Sequence, residues 1–475
     1  MLLRRTRGSA VAAVVGLLGS VALVGIQGTG PAAAQGISLQ PVTTAAGRLL
    51  SSATSAGSAL GLPAIGTTSA LRAATTTSGP FVAPVAVSGA TVGEPGINVA
   101  PDGSIYINGP AGLSSASPVF KSTDGGSTWA LTPSSLRSSL PGGGDSNVAV
   151  DPTTGTLYMV DLWLASSTTS RSTDGAQSWV ANPLGVPIQD RPWVATAGNG
   201  DVYMVTHQIP LGLVVSKSVA PLDGVVFPVS TLAATPLDQQ GCVCPPGNIV
   251  AEPGGLLGDQ VGVIYSTSTG AVHFAFSKNG GLTFTNSVIT GDNPSASTLD
   301  AFPVVADAGN GHLVAVWLED FTPSDVASGD RVQISTSSDF GATWAAPRTL
   351  VSSGGGTSVY PWVATSGSKV SVSLYHTTAA PTGSPGPDTV PASAQWFETY
   401  LESSDGGANF SSPVAIDPTA VKSGPICTQG TAGCSGNRQL LDFQTVTIDP
   451  AGRANLSYAR ATSATAVQTM FDRQS

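Results

Sequence analysis

One cluster of residue types recurs along this chain and constrains its fold more than any other feature. The segment KSTDGGSTW at residues 121–129 is followed by RSTDGAQSW at residues 171–179, and related clusters lie further along. The central acid or amide of the copies is, in order, Asp124, Asp174, Asp223, Asn279, Asp339 and Asp405, at intervals of roughly 50 to 66 residues. Self-similarity at such intervals predicts a chain built of repeated units.

The segments between the clusters predict strands. From residue 81 onward, short runs of Val, Ile, Tyr and Phe alternate with Gly, Pro, Asp and Asn. Each unit has the length of a four-stranded sheet whose faces only neighbouring units can cover, so we predict an all-β propeller. We expect seven four-stranded blades, with six as the alternative. The last unit supplies three strands, and a strand near residues 81–87 is expected to complete it, closing the ring with the N- and C-terminal strands.

The recurring cluster is predicted to be a structural turn between the third and fourth strands. Asp or Asn accepts hydrogen bonds from nearby backbone N–H groups, and Gly takes up a positive φ. The Ser or Thr hydroxyls satisfy local backbone groups, and the aromatic ring packs between adjacent sheets. Because a catalytic residue is needed only once, six copies favour a structural role for Asp124 and its counterparts.

These clusters resemble the Asp-boxes (BNR repeats) of the sialidase-like, or neuraminidase, superfamily of β-propellers. Clear forms span Ser122–Trp129, Ser172–Trp179, Ser337–Trp344 and Ser403–Phe410, and a variant spans Ser277–Phe284. The resemblance implies that Asp124, Asp174, Asn279, Asp339 and Asp405 lie on the rim of the propeller, away from the active site. It also implies that the site lies in a central funnel, where the innermost strands begin. Binding proteins and hydrolases other than sialidases share these repeats, so the resemblance is specific for fold and not for function.

Seven polar residues stand where the first strands of the units are expected to begin. They are Glu94, Asp145, Asp190, Arg191, Asp300, Tyr360 and Asp442. By the resemblance, Tyr360 is the candidate nucleophile, and Asp145 or Asp300 is the candidate acid/base. The others, with Arg438, are candidates for binding substrate. The alternative interpretation is that these residues cap strand entrances and solvate the channel mouth.

The sequence departs from the sialidase pattern in its arginines. Sialidases hold the carboxylate of their sugar with three arginines, and the first belongs to a Phe/Tyr-Arg-Ile-Pro motif before the first Asp-box. Here that place reads GEPGINVAP, at residues 93–101, and contains no arginine. The nearest analogue is DRPW at residues 190–193, with Arg438 and Arg331 as candidate second and third cations.

The N-terminus predicts export. Arg4, Arg5 and Arg7 precede an apolar run that ends in small residues at Ala34, which is the order of a secretory signal peptide over residues 1–34. A membrane anchor is the alternative, but the run is short and broken by glycines. Residues 35–79 are a low-complexity Ala/Thr/Ser/Gly spacer, and residues 80–475 are the propeller. We therefore expect a secreted, extracellular protein with no membrane span after cleavage.

The net charge limits the classes of partner that the protein can bind, and the cysteines limit the possible disulfides. The formal charge of −10 becomes more negative when the signal arginines are removed, which argues against nucleic acid as a partner. Of the four cysteines, we favour a Cys427–Cys434 disulfide and doubt a strained Cys242–Cys244 bridge; zinc ligation is the alternative. No cofactor or metal is expected, although a cation at the acidic funnel stays open.

Three functions fit the sequence. The first is an exo-sialidase-type glycoside hydrolase acting in the funnel. The second is a non-catalytic extracellular propeller that binds a glycan or a protein there. The third is a hydrolase of neutral polysaccharide that uses two carboxylates among Asp145, Asp190, Asp300 and Asp442. We expect a monomer in each case.

Overall fold

A computed structural model describes the propeller part of the chain. The described residues are 81–112, 116–133, 140–164, 166–187, 189–208, 211–234, 246–291, 296–298, 301–321, 330–352, 356–382 and 386–475. The predicted signal peptide and spacer lie outside these residues, as do Cys242, Cys244 and Asp300.

The described chain forms seven antiparallel blades, as predicted, and the alternative of six is wrong. Blade 1 contains β2 (Gly96–Val99), β3 (Ile105–Asn108), β4 (Val119–Ser122) and β5 (Ala130–Leu131). Blade 2 contains β6 (Ser146–Val150), β7 (Leu157–Trp163), β8 (Ser166–Ser172) and β9 (Val180–Pro187). Blade 3 contains β10 (Asp190–Thr196), β11 (Val202–Gln208), β12 (Gly212–Lys217) and β13 (Val229–Ala234). Blade 4 contains β14 (Ile249–Glu252), β15 (Gln260–Ser266), β16 (Val272–Ser277) and β17 (Thr285–Thr290).

Two of the remaining blades carry an additional short strand. Blade 5 contains β19 (Val304–Gly309), β20 (His312–Phe321), β21 (Arg331–Ser337) and β22 (Arg348–Ser352), and β18 (Ala296–Ser297) pairs with the end of β20. Blade 6 contains β23 (Thr357–Ser366), β24 (Lys369–Thr377), β25 (Gln395–Ser403) and β26 (Val414–Ala415), and β27 (Lys422–Ser423) pairs with the start of β25. A single helical turn, α1 (Gly430–Gly433), follows. It lies between Cys427 and Cys434, which form a disulfide, the pairing favoured from the sequence.

Blade 7 closes the ring with both ends of the propeller. It contains β28 (Thr445–Ile448), β29 (Ala454–Ala461) and β30 (Val467–Arg473), and β1 (Val85–Ala86) supplies its outer strand. Val85 pairs with Phe471 and Ala86 with Met470, and a bridge joins Phe81 to Gln474. The predicted closure by the N- and C-terminal strands is therefore confirmed.

The first strand of each blade lies next to the first strands of both neighbouring blades, so the innermost strands form a closed ring. All begin at one end of this ring, and the turns between third and fourth strands lie at the other end. The core fills the spaces between blades. For example, Trp129 of blade 1 packs against Phe471 of blade 7, with ring centroids 5.2 Å apart.

The recurring turns have the hydrogen bonds predicted for them. In blade 1, the Ser122 hydroxyl donates to Asp124 at 2.8 Å and accepts from the Gly126 N–H at 2.9 Å. Asp124 also accepts from the Thr128 N–H and hydroxyl, at 2.9 and 2.6 Å. The same bonds recur at Asp174, Asp339 and Asp405, and at Asn279 the amide takes the place of the carboxylate. No carboxylate of these turns belongs to the funnel.

Candidate functional site

The predicted funnel residues meet where the first strands begin. Arg191 is the second residue of β10 and lies at the centre of the group. Its Nη1 lies 3.0 Å from Glu94 Oε2 and 3.2 Å from Asp145 Oδ1. The other oxygen of Glu94 accepts the Asp442 N–H at 3.0 Å. Arg438 in turn forms an ion pair with the Asp442 carboxylate. Blades 1, 2, 3 and 7 are thereby joined at the central axis by one network of charges.

Burial differs sharply within this network. Glu94 and Arg191 are 1% and 3% exposed, so both are withdrawn from solvent. The Asp145 side chain is 31% exposed, and Asp190 and Asp442 are half-buried. The buried pair therefore forms the floor of the site, and the other three carboxylates form its mouth.

Aromatic rings complete the floor. The guanidinium carbon of Arg191 lies 4.7 Å from the centroid of Trp193, 4.7 Å from that of Phe302 and 4.6 Å from that of Phe443. Trp362 stacks on Phe443 at 5.4 Å. A desolvated cation among aromatic rings is stabilised by about 2 kcal/mol. Rings from four blades therefore fill the centre of the propeller beneath the mouth.

The sequence analysis did not include these rings, although a signal for them exists. An aromatic residue follows a strand-start position in RPW, DAFP, YPW and LDF, which contain Trp193, Phe302, Trp362 and Phe443. A search for residue types shared by the units at this position would have found the set.

The backbone at the site is strained. Glu94, Arg191 and Tyr360 have φ values of 46°, 49° and 55°, a region that side chains other than Gly rarely occupy. The register of the strand pairs shifts next to Arg191 and next to Tyr360, as at β-bulges. Strain of this kind persists only where surrounding contacts enforce it, and it concentrates at functional sites.

The carboxylates of the site differ in how readily they hold a proton. Burial, and then the charge of Asp145, raise the pKa of Asp190 to about 6. Burial also raises the pKa of Glu94 above its ordinary range, against the opposing effect of Arg191. The site has more carboxyl groups than guanidinium groups, since only Arg191 and Arg438 face four acids. Asp190 therefore carries a proton in mildly acidic solution.

His207 is a neighbour that sequence reasoning did not include. It lies opposite Asp190 in the pairing of β11 with β10. Burial lowers the pKa of this imidazole to about 4, so it stays neutral beside the acid at ordinary pH. The sequence contained a signal for His207, because this residue stands at the end of a predicted second strand. Second strands end on the side of the blade where the funnel lies.

One candidate catalytic residue, Tyr360, is buried beneath the mouth. Tyr360 is 2% exposed, packs edge-on against Tyr375 and lies close enough to Arg438 to interact with its charge; its role as a nucleophile stays a prediction. Asp300 lies outside the described residues. Arg331 begins the third strand of blade 5, opposite Glu319.

Within the described part of the chain, no group of three or more His, Cys, Asp or Glu side chains is arranged to hold a metal ion. The same residues contain no helix long and apolar enough to span a bilayer.

Comparison with known proteins identifies neighbours only at the level of structure. No protein-family model matches the chain, and no curated protein matches it. A protein of unknown function from Dyadobacter fermentans DSM 18053 is 15% identical, over 83% of this chain and 98% of that one, with a TM-score of 0.45. Penicillium chrysogenum alpha-L-arabinanase is 12% identical, over 82% and 98%, with a TM-score of 0.44. The NanB sialidase from Streptococcus pneumoniae is 12% identical, over 83% and 70%, with a TM-score of 0.39.

Proposed function

We propose that this protein is an exported, glycan-recognising propeller of the sialidase-like type, and that its binding site is the acidic mouth of the central funnel. The observation that carries the proposal is the network in which exposed Asp145 and half-buried Asp190 and Asp442 surround the buried Arg191–Glu94 pair. Carboxylates accept hydrogen bonds from sugar hydroxyls, and the aromatic rings beneath these carboxylates exclude water from that side. The turn hydrogen bonds support the Asp-box interpretation, and the N-terminal pattern supports export.

The proposed ligand is a neutral or basic saccharide and not a sialic acid. A sugar carboxylate needs unpaired cations, as the resemblance to sialidases implies. Here Arg191 is held by Glu94 and Asp145, and Arg438 is held by Asp442. An anionic sugar at this mouth would meet a surplus of carboxylates and be repelled.

A binding experiment tests this proposal. The mature protein is applied to an array of neutral, amino-containing and sialylated glycans, and the bound glycans are titrated by calorimetry. We expect neutral or amino-containing glycans to bind. Asp145→Asn should lower their affinity about tenfold, which corresponds to the loss of one charge-assisted hydrogen bond. The matched control is Asp102→Asn, an exposed turn carboxylate at the opposite end of blade 1. Preference for sialylated glycans, or equal binding by the two variants, would contradict the proposal.

A second candidate, hydrolysis at the same mouth, is favoured by one observation. Because its pKa is raised to about 6, Asp190 holds a proton in mildly acidic solution, as a general acid must. In this candidate reaction Asp190 protonates the glycosidic oxygen, and the Asp145 carboxylate accepts a proton from the attacking water.

Release of reducing ends from neutral polysaccharides measures this activity. We expect the rate to fall as the pH rises through about 6, and Asp190→Asn to lose turnover while it retains binding. Binding without release from any polysaccharide would reject hydrolysis and leave a non-catalytic lectin. If the protein binds neither the arrayed glycans nor the polysaccharides, a protein ligand is favoured.

A further inference from the structure

A cavity of about 630 Å³ lies between blades 5 and 6, at the end of the propeller opposite to the funnel. We call it the rim cavity. Four turns surround it: two of blade 5, from β19 to β20 and from β21 to β22, and two of blade 6, from β23 to β24 and from β25 to β26. Its polar and aromatic lining includes Asn310, His312, Ser338, Trp344, Ser368 and Asp405.

Other blade junctions are filled at the corresponding place. In blades 1, 2 and 3, a tyrosine of the second strand pairs with a basic residue of the third, and this pair reaches beneath the turn of the next blade. The pairs are Tyr106–Lys121, Tyr158–Arg171 and Tyr203–Lys217. At the junction of blades 1 and 2, Lys121 Nζ donates to the Gly175 carbonyl at 3.4 Å, and a Cβ at Gly175 would meet this Nζ at 2.7 Å. Long side chains thus close these junctions.

The junction of blades 5 and 6 has short side chains instead. Its pair is Val314–Thr336, and both residues line the rim cavity. A Cβ at Gly406, in the turn of blade 6, would meet nothing within 4 Å, whereas one at Gly125 would clash with Arg473. The rim cavity opens at the place where the junctions that follow blades 1, 2 and 3 are closed by long side chains, so it is a local departure from the repeat.

The chemistry of the lining selects a class of ligand. Trp344 is partly exposed in the cavity and is held in place by Phe274, 5.3 Å away, and by donation of its Nε1–H to the Gly341 carbonyl at 3.1 Å. The indole offers an apolar surface, and the side chains around it offer hydroxyl, amide, imidazole and carboxylate groups. None of the described residues that line the cavity is Lys or Arg, so an anionic ligand would find no cation there.

We propose that the rim cavity is a second saccharide-binding site, which takes one or two residues of a neutral sugar with an apolar ring face against Trp344. Its volume lies within the range of small-molecule sites, and a rigid aromatic surface with a few polar groups is the usual composition of such sites. The site is remote from the funnel and does not depend on the function proposed for it.

The test restores at this junction the pair found in blades 1 and 3. The double variant Val314→Tyr/Thr336→Lys places a tyrosine and a lysine where Tyr106 and Lys121 stand in blade 1. Methyl glycosides of glucose, galactose, mannose and N-acetylglucosamine are titrated into the mature protein, with calorimetry for affinity and saturation-transfer NMR for the sugar protons in contact. We expect at least one glycoside to bind, and the double variant to weaken it more than about tenfold.

Two further variants keep the outcome clear. His312→Ala removes an exposed lining side chain outside the core, so it should weaken the same glycoside even if the double variant does not fold. Asp145→Asn alters only the funnel and should leave rim binding unchanged. Absence of binding by all four glycosides, or binding that neither rim variant weakens, overturns the rim site. Loss of binding in Asp145→Asn alone would assign the glycoside to the funnel.

Discussion

The junction of blades 6 and 7 contains a buried acid whose replacement should stabilise the protein in neutral solution. Asp472 of β30 is fully buried; its Oδ1 accepts the Arg473 N–H at 2.8 Å, and its Oδ2 has no hydrogen-bond partner in the described structure. Glu398 and Asp417 are buried close enough to Asp472 to interact with its charge; Asp417 accepts the Tyr458 hydroxyl at 2.8 Å and forms an ion pair with Arg460. A negative charge on Asp472 is therefore both desolvated and close to other acids.

The magnitude follows from the pKa of Asp472. Burial, with a smaller contribution from Asp417, raises this pKa from 3.8 to about 8. The folded state thus binds a proton that the unfolded state releases. The stability from this group is complete below the unfolded value and is lost as the pH rises from about 4 to about 8. At about 1.4 kcal/mol per pKa unit, the loss by neutral pH is about 4 kcal/mol.

The substitution Asp472→Asn removes the titrating group but keeps the acceptor for the Arg473 N–H. We expect similar stability of variant and wild type near pH 4, and an advantage of the variant that grows to about 4 kcal/mol near pH 7. Urea unfolding followed by tryptophan fluorescence, repeated across this pH range, measures the difference, and Asp102→Asn is the surface control. Parallel pH curves for Asp472→Asn and the wild type would refute the reasoning.

Three other substitutions test how the fold is held together. Arg191→Met should lower the free energy of unfolding by about 3 to 5 kcal/mol, because it leaves Glu94 buried without its counter-ion, and adding Glu94→Gln should recover part of this loss in thermal unfolding. Ser122→Ala should cost about 1 to 2 kcal/mol, because it strips the buried Gly126 N–H of its acceptor; equal stability would show that the turn bonds are dispensable. Replacing Cys427 and Cys434 by Ser should cost about 2 kcal/mol, the value for a short loop, and hydrogen exchange should locate the loosening near α1.

Features that depend on neighbours in the sequence could be predicted from the sequence. The turn around Asp124 is one case, because its bonds join Ser122, Asp124, Gly126 and Thr128, all within a few positions. Recurrence of such turns gave six of the blades, since each copy ends a third strand, and the strands of the last unit gave the seventh. Closure followed because the last unit lacked a strand and the segment near residue 81 supplied one.

The composition of the candidate site was predictable, but its arrangement was not. Strand starts converge in a ring of sheets, so Glu94, Asp145, Arg191 and Asp442 were expected to approach one another, and they do. Which carboxylate pairs with Arg191 depends on side-chain directions in separate blades, and no local pattern encodes this. The burial of Tyr360 has the same origin, since a positive φ and the packing of Tyr375 decide where its ring lies.

The sequence by itself determined the repeat, the turns and the closed ring, because these depend on period, local hydrogen bonds and the requirement to cover apolar sheets. Only the tertiary structure decided that the cation of the funnel is neutralised and sealed among aromatic rings, and that one blade junction is left open. Both outcomes depend on contacts between residues that lie far apart along the chain. Glu94 and Arg191 meet through the ring, and the gap above Val314 exists only because the turn of the next blade passes over it.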